Sequence, residues 1–95
     1  MEKYELMYIL RATLDEEART AASEELHKIL TDNGAILGEV TEWGLRDFAY
    51  LIKDEPRGYY VIVKFEANSE TLEEFERLTR HNDNVLRYLI TVDHE

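Results

Sequence analysis

Hydrophobic and polar side chains alternate along three parts of the chain, as they do in strands that have one buried face. The first part covers residues 3–11, where one face would carry Tyr4, Leu6, Tyr8 and Leu10. The second and third parts cover residues 58–66 and 85–93. We therefore predict three strands, each with a continuous apolar set of side chains on one face.

A fourth, less regular strand is predicted over residues 35–52. Its apolar residues are scattered, and Gly38 and Gly44 interrupt them in the way that bulges or bends do. The stretch KDEPRG, at residues 53–58, contains the only proline of the chain. This stretch predicts a turn that leads into the next strand.

Two further stretches have the spacing of helices. The first helix is predicted over residues 14–32, because Thr13 and Glu16 have the spacing of a capping box and Gly34 is a natural stop. Its apolar stripe consists of Ala18, Ala22, Leu26, Ile29 and Leu30. The second helix should be capped by Asn68 or Ser69. Its buried stripe is predicted to consist of Leu72, Phe75 and Leu78.

These elements follow one another in the order β-α-β-β-α-β. Two β-α-β units with right-handed crossovers predict an α+β fold, the ferredoxin-like split β-α-β sandwich. We expect a four-stranded antiparallel sheet of order 4-1-3-2 with both helices on one face. At 95 residues the chain is expected to form a single domain, residues 1–95.

Alternation also assigns the two faces of this sheet. The helices are expected to cover the more apolar set, which comprises Leu6, Tyr8, Leu10, Tyr59, Val61, Val63, Phe65, Leu86, Tyr88, Ile90 and Val92. The open face would then carry Met7, Ile9, Tyr60, Ile62 and Leu89. An apolar patch of this kind on a small domain is typical of an interface, so we predict that the open face binds a partner. Ordinary surface apolarity is the alternative.

The segment RGYYVIVKF, which begins at Arg57, starts like the RNA-stacking strand of an RNA recognition motif. In that motif the first and third aromatic positions lie on the open face. Here they are Tyr59 and Val61, and both belong to the set that is expected to face the helices. We therefore predict that this sheet does not stack bases.

Charge and composition narrow the possible functions. The chain has 21 acidic and 11 basic residues, a net charge of −10 and no cysteine. Such a charge argues against a free-standing nucleic-acid binder and suits a chain with a basic partner. The lack of cysteine excludes disulfides and thiolate metal sites. No apolar run is long enough to cross a membrane, and the N-terminal residues do not predict a signal peptide.

Catalytic chemistry is not indicated. His27, His81 and His94 lack metal-ligand spacing, and the four glycines are isolated rather than grouped in a phosphate-binding loop. Acylphosphatases share the predicted topology, but no phosphate-cradling loop follows the first strand here. We expect neither an enzyme nor a bound metal or cofactor.

Three segments together resemble one known family. They are KYELMYILR followed by LDEE, then EWGLRDFAYLI with GYYVIV after it, and finally RHNDNVLRYLITV. Their order and spacing resemble the bacterial small-subunit ribosomal protein numbered six. The resemblance implies a ferredoxin-like, non-enzymatic, cytoplasmic protein of the ribosome. It further implies binding to the central domain of small-subunit rRNA together with the small basic ribosomal protein numbered eighteen.

The resemblance also implies candidate site residues. Arg46 matches the arginine of the middle segment, and Arg80, Asp83, Val85 and Arg87 match the terminal motif, while Tyr4 and Glu5 match the opening. The candidate RNA-binding residues are Lys3, Arg46, Arg80 and Arg87. The predicted open face and the edge strand beside it, together with Arg46, supply the candidate partner-binding residues, which are Trp43, Arg46, Tyr60, Ile62, Met7 and Ile9.

The chain departs from the family pattern beside Arg46. Position 47 is commonly basic or polar in the family but is Asp47 here, and the usual leucine at the next position is Phe48. The reversed charge would weaken a phosphate contact, and Asp47 could pair with Arg46 and hold it back. The alternative to a ribosomal function is a ferredoxin-like scaffold, engineered or self-associating, that has lost RNA binding. We expect the isolated chain to be a monomer.

Overall fold

A computed structural model describes residues 1–93 of the chain. Six elements follow one another in the predicted order. They are β1 (Glu2–Arg11), α1 (Glu16–Asp32), β2 (Ile36–Ile52), β3 (Glu55–Ala67), α2 (Ser69–Thr79) and β4 (Val85–Val92). The four strands form one antiparallel sheet of order β2-β3-β1-β4. This order is the predicted 4-1-3-2 read from the other edge, so the ferredoxin-like fold is confirmed.

The main core lies between the sheet and the two helices. Its sheet side consists of alternate residues of β1 and β3, and Leu6, Tyr8, Leu10, Val61, Val63 and Phe65 are all at most 2% exposed. Burial of each such side chain contributes roughly 1.5–3 kcal/mol, and a slip of one residue would turn the whole set outward. Tyr88 and Ile90 are half-buried against the same core. The predicted faces of β1 and β3 are thus confirmed.

The cap of α1 differs from the prediction. The N-cap is Asp15, whose Oδ1 accepts a hydrogen bond of 2.8 Å from the backbone N–H of Ala18. Thr13, which we expected to cap a helix starting at residue 14, lies outside it, because an aspartate nearer the first turn satisfies the same donors. The helix ends as predicted before Gly34, which has a φ of +92°.

The buried face of α2 also differs in part. Phe75 is fully buried as predicted, and Leu72 is half-buried against the main core, but Leu78 is 43% exposed. Thr71 and Thr79 occupy the buried face instead. Thr71 is tolerated there because its hydroxyl donates a hydrogen bond of 2.7 Å to the backbone carbonyl of Asn33.

The beginning of β4 carries a bulge that changes one assigned face. Residue pairing with β1 shifts between Ile9 and Leu10, so that Ile9 lies opposite Arg87 while Leu10 lies opposite Val85. Val85 therefore joins the main core, and Leu86, which we expected to face the helices, packs on the open face. Val92 was assigned to the helix side as well but is 47% exposed, because the strand ends there.

A second, smaller core forms on the open face at this end of the sheet. Its buried members are Ile9, Ile52 and Leu86, and Phe48 and Tyr60 pack against them. Gly58 makes this packing possible, because a Cβ there would lie 2.3 Å from Cγ2 of Ile9 and 2.8 Å from the ring of Phe48. The long β2–β3 hairpin therefore covers part of the face that we expected to be open.

The hairpin turn is tighter than the proline suggested. Lys53 and Asp54 form it with positive φ angles, and β3 already begins at Glu55. Two side chains fix this turn to the sheet: Lys53 donates to the carbonyl of Val85 at 3.2 Å, and Arg11 lies 2.9 Å from the carboxylate of Glu55. In β2 the pairing shifts after Leu37 and after Glu42, next to the two glycines that predicted bulges.

Candidate partner and nucleic-acid interface

An aromatic cluster occupies the open face beside the smaller core. Tyr60 is at its centre: the Trp43 ring is stacked on it with centroids 6.4 Å apart, and the Phe48 ring lies at 6.2 Å on a tilt. The guanidinium carbon of Arg46 is 5.6 Å from the centroid of Trp43, which is within the range of a cation–π contact. The fold thus brings together three predicted partner-binding residues: Trp43, Arg46 and Tyr60.

A bulge in β2 places Trp43 in this cluster. Glu42 lies opposite Val61 and Gly44 lies opposite Tyr60, so Trp43 is an extra residue on the β2 side. Gly44 has a φ of +86°, which favours glycine at this position. The bulge redirects the indole toward Tyr60 but leaves it 52% exposed. Trp43 is therefore an aromatic side chain that is both positioned and accessible.

The other predicted partner-binding residues differ in accessibility. Met7 and Ile62 lie directly opposite each other on β1 and β3, and both are half-buried. Ile9 is only 2% exposed, because the hairpin and Leu86 cover it. The expectation that Ile9 forms part of an exposed patch is therefore wrong. Phe48 and Tyr60 cover Ile9 and are themselves nearer the surface.

Phe48 belongs to this site as well, although it is absent from the residues predicted from the sequence. It was noted only as a departure from the family pattern, yet it lies two residues after Arg46, and a period of two places both on one face of a strand. That signal was available in the sequence. The bulge that moves Leu86 to the same face is not marked in the sequence by a glycine or a proline, so the position of Leu86 could not be predicted.

Tyr59 points away from this cluster, as predicted. It packs against the main core, and the guanidinium carbon of Arg19 on α1 lies 4.2 Å from its ring centroid. The side chain that would stack a base in an RNA recognition motif is thus on the helix side of the sheet. The aromatic residues of the open face are Trp43, Phe48 and Tyr60, and their positions on the sheet differ from those of the base-stacking aromatic residues in an RNA recognition motif.

The four candidate RNA-binding cations are exposed, and within residues 1–93 none of them forms an ion pair. Other basic residues are engaged in such pairs, among them Arg11, Lys28, Arg57 and Arg77. In the described part of the chain, no ion pair therefore neutralises the charges of Lys3, Arg46, Arg80 and Arg87.

These four cations do not form one patch. Arg46 and Arg87 share the open face, since they lie opposite Gly58 and Ile9, but they belong to the two edge strands. Lys3 is six residues from Ile9 along β1, which corresponds to about 20 Å of strand. Arg80 is the C-cap of α2, at the end of the helix layer. The fold therefore places Arg46, Arg87 and Lys3 on the open face but at separate positions, and it gathers none of the four into a patch.

Asp47 does not pair with Arg46, although the sequence allowed it. Its Oδ1 lies 3.0 Å from one terminal guanidinium nitrogen of Arg57 and 3.1 Å from Nε of the same side chain. Arg57 is the residue directly opposite on β3. The carboxylate of Asp47, which departs from the family pattern, is therefore paired with Arg57 on the neighbouring strand β3.

The outer edge of the sheet at β2 is more apolar than expected. Six of the ten large hydrophobic residues that are exposed in the described part of the chain belong to this strand. They are Ile36, Val40, Trp43, Leu45, Tyr50 and Leu51. This concentration could not be predicted from the sequence, because the irregular spacing of these residues does not assign them to one face.

A buried polar contact links α1 to the sheet. The Tyr8 hydroxyl and Nε2 of His27 are 2.9 Å apart beneath the helix. Burial raises the pKa of Tyr8 to about 12 and lowers the pKa of His27 below its ordinary value. With both groups neutral, the tyrosine donates if the imidazole proton is on Nδ1, and the imidazole donates if its proton is on Nε2. This histidine thus has a structural partner, and His94 lies outside the described residues.

Residues 1–93 contain no group of three or more histidine, cysteine, aspartate or glutamate side chains that could hold a metal ion. Among the same residues, no helix is long and apolar enough to cross a membrane.

Comparison with known proteins connects this geometry to a family. A family model described as ribosomal protein S6 matches residues 3–91. The chain belongs to the ribosomal protein S6 family. Over all 95 residues it is 45% identical to the small ribosomal subunit protein bS6 of Shouchella clausii strain KSM-K16, and the match covers the whole of both chains.

A solved structure of the S6 family has the same fold. The crystal structure of the 30S ribosomal protein S6 from Thermotoga maritima superposes with a TM-score of 0.91 at 28% identity, covering 97% of this chain and 87% of that one. The family resemblance read from the three sequence segments is confirmed. Both relatives are ribosomal proteins, which agrees with the non-enzymatic reading.

Proposed function

We propose that this chain is a structural protein of the small ribosomal subunit that binds the central domain of its rRNA together with the small basic ribosomal protein numbered eighteen. Membership of the ribosomal protein S6 family supports the ribosomal role and, with it, a cytoplasmic location. The structural observation that carries the proposal is the availability of the four candidate cations. All are exposed, and none is neutralised by an ion pair within residues 1–93.

The partner protein is proposed to cover the aromatic cluster and the adjoining edge of β2. Trp43 is half exposed and is held by Tyr60 and Arg46, so it loses little freedom when a partner covers it. Aromatic and arginine side chains dominate the energetics of protein interfaces. The exposed apolar residues of β2 would extend this contact along the edge of the sheet. The outward backbone N–H and C=O groups of an edge strand could also form hydrogen bonds with the partner protein.

The RNA contact is proposed to use the phosphate backbone. Arg46 and Arg87 lie at the two edges of the open face, and Lys3 and Arg80 lie at opposite ends of the domain. Such dispersed cations suit separate phosphates rather than the reading of a base. A net charge of −10 makes binding by the isolated chain weak, so the basic partner is needed to supply most of the attraction.

Titration of an rRNA central-domain fragment at two salt concentrations, with and without the partner protein, tests the proposal. The informative variant is Arg46→Ala with Arg87→Ala. The matched control is Lys28→Ala with Arg77→Ala, which removes two ion-paired cations from the helix layer and leaves the same net charge. In the presence of the partner, we expect the first variant to weaken RNA binding by at least about tenfold. The slope of the logarithm of the binding constant against the logarithm of the salt concentration should become shallower by about one for each lost phosphate contact.

The control should bind like the parent. An equal loss in both double variants would mean that only net charge matters, and the open face would then not be the RNA-facing surface. Binding that is strong without the partner and insensitive to salt would contradict the phosphate contacts and would indicate base stacking on the exposed aromatic side chains.

A further inference from the structure

A carboxylate beside Arg46 conflicts with the role proposed for that arginine. A guanidinium that is meant for a phosphate loses affinity if a neighbouring aspartate satisfies it first. Asp47 is the adjacent residue on β2, and 78% of its side chain is exposed. The structure nevertheless keeps the two side chains apart.

Strand geometry separates them in the first place. Successive side chains of a strand point to opposite faces, so Arg46 and Asp47 leave β2 on different sides. Arg46 lies opposite Gly58, on the side of the aromatic cluster, and Gly58 places no side chain between Arg46 and that cluster. Asp47 lies opposite Arg57 on the other side of the hairpin.

Arg57 then holds the carboxylate on that side. Both Nε and a terminal nitrogen of its guanidinium lie within 3.1 Å of Oδ1 of Asp47. Both side chains are at least half exposed, and pairs of this kind contribute little to stability. The effect of the pair on the position of the carboxylate is therefore larger than its effect on folding.

We propose that Arg57 is a positioning residue for Arg46, which it serves by retaining the Asp47 carboxylate. With Asp47 engaged, the Arg46 guanidinium stays over Trp43 and keeps its hydrogen-bonding edge for a phosphate of the RNA backbone. Without Arg57, Asp47 can turn around the exposed edge of β2 and pair with Arg46. This inference rests on the proposed RNA contact of Arg46, but its geometric part stands without RNA.

Fluorescence quenching of Trp43 tests the geometric part, because Trp43 is the only tryptophan of the chain. Iodide is an anionic quencher that the Arg46 charge attracts, whereas acrylamide is neutral. We expect Arg57→Ala to lower the iodide quenching constant about twofold, as a unit negative charge moved to within several ångströms would do. Acrylamide quenching should stay near the parent value.

A double-mutant cycle separates this effect from the mere loss of one positive charge. In the Asp47→Asn background, Arg57→Ala should change iodide quenching little, because no carboxylate is left to release. The Arg57→Lys variant should recover most of the parent behaviour. An equal drop in both backgrounds would overturn the proposal, since Arg57 would then act through its own charge alone.

Affinity for the rRNA fragment in the presence of the basic partner completes the test. The proposal expects Arg57→Ala to weaken binding several-fold and Arg57→Ala with Asp47→Asn to restore it. If the quenching cycle behaves as expected but affinity does not change in any variant, Arg46 is positioned as described and the proposed RNA contact is wrong. If quenching is unchanged by Arg57→Ala, the positioning role itself is wrong.

Discussion

At the scale of single residues, the polar contact beneath α1 gives the fold a dependence on pH. The Tyr8 hydroxyl shares a hydrogen bond with Nε2 of His27, and burial lowers the pKa of that imidazole, while the nearby Glu24 carboxylate opposes the shift. In the unfolded chain the histidine has its ordinary pKa of about 6.5. As the pH falls through this range, the unfolded state binds the proton before the folded state does.

We therefore predict that stability is fully present above pH of about 6.5 and declines as the pH is lowered toward the depressed folded-state pKa of His27. Denaturant melts of the parent protein measure this decline at roughly pH 7.5, 6.5 and 5.5, which bracket the ordinary pKa of histidine. His27→Gln keeps a hydrogen-bond acceptor and cannot titrate, so its stability should fall less over the same interval. Identical declines would show that other groups are responsible.

Gly58 is the second residue on which the packing depends. A methyl group there would meet Cγ2 of Ile9 and the ring of Phe48, together with the carbonyl of Leu10 at 3.3 Å. We predict that Gly58→Ala destabilises the fold by about 1–3 kcal/mol, because the smaller core must move aside. An Ile9→Ala background removes the shortest of these contacts and gives the Phe48 ring space to move, so the same substitution should cost clearly less there.

Equilibrium unfolding of the four chains in this cycle measures the coupling between the two positions. Additive losses would mean that the smaller core does not tighten around Gly58 as the geometry indicates.

At the scale of elements, strict alternation decided how much of the fold could be predicted. β1 and β3 alternate without interruption, and their buried faces follow from sequence alone. In β4 Tyr88 and Ile90 face the helices as predicted, but Leu86 could not be assigned correctly, because a bulge beside Ile9 rotates it onto the other face and no glycine or proline marks the bulge. The cap of α1 was misplaced for a similar reason, since Thr13 and Asp15 both have suitable side chains.

The same limitation applies to the candidate site. Family resemblance indicated Arg46, and the predicted edge strand and open face indicated Trp43 and Tyr60. Only the three-dimensional structure shows that they are stacked and that Ile9 lies beneath them. The length of the β2–β3 hairpin, which covers one end of the open face, depends on a turn at two non-glycine residues. Positive φ angles at lysine and aspartate are uncommon and were not expected from the sequence.

β2 is also the element whose edge needs protection from unwanted pairing. It is 17 residues long, lies at the outside of the sheet and carries several exposed apolar side chains. Arg46 and Asp47 supply charges along this edge. We predict that Arg46→Met with Asp47→Val promotes self-association, which sedimentation velocity at increasing concentration would detect.

The matched control for this prediction is Lys28→Met with Asp32→Val. It removes an exposed pair of the same two charge signs from α1. The control should sediment as the parent does. If the β2 variant stays monomeric at high concentration, or if both variants associate equally, the edge of the sheet is not the surface that these charges protect.

At the scale of the whole molecule, the negative charge is unevenly distributed. The two helices carry nine carboxylates against three basic residues, whereas the four strands carry seven carboxylates against six basic residues, with Lys3, Arg46 and Arg87 among the latter. The net charge of −10 therefore does not describe the face that is proposed to meet RNA. The acidic helix layer would repel RNA phosphates, which disfavours an orientation in which the helices face the RNA.

Hydrogen exchange of the chain, first alone and then in the complex with rRNA and the basic partner, tests the central claim most directly. The account predicts slower exchange in the complex along β2 around Trp43, where edge amides become covered, and no change on the outer turns of α1. Slower exchange confined to the outer helix surface, with β2 unchanged, would contradict the proposal that the open face and its edge form the interface.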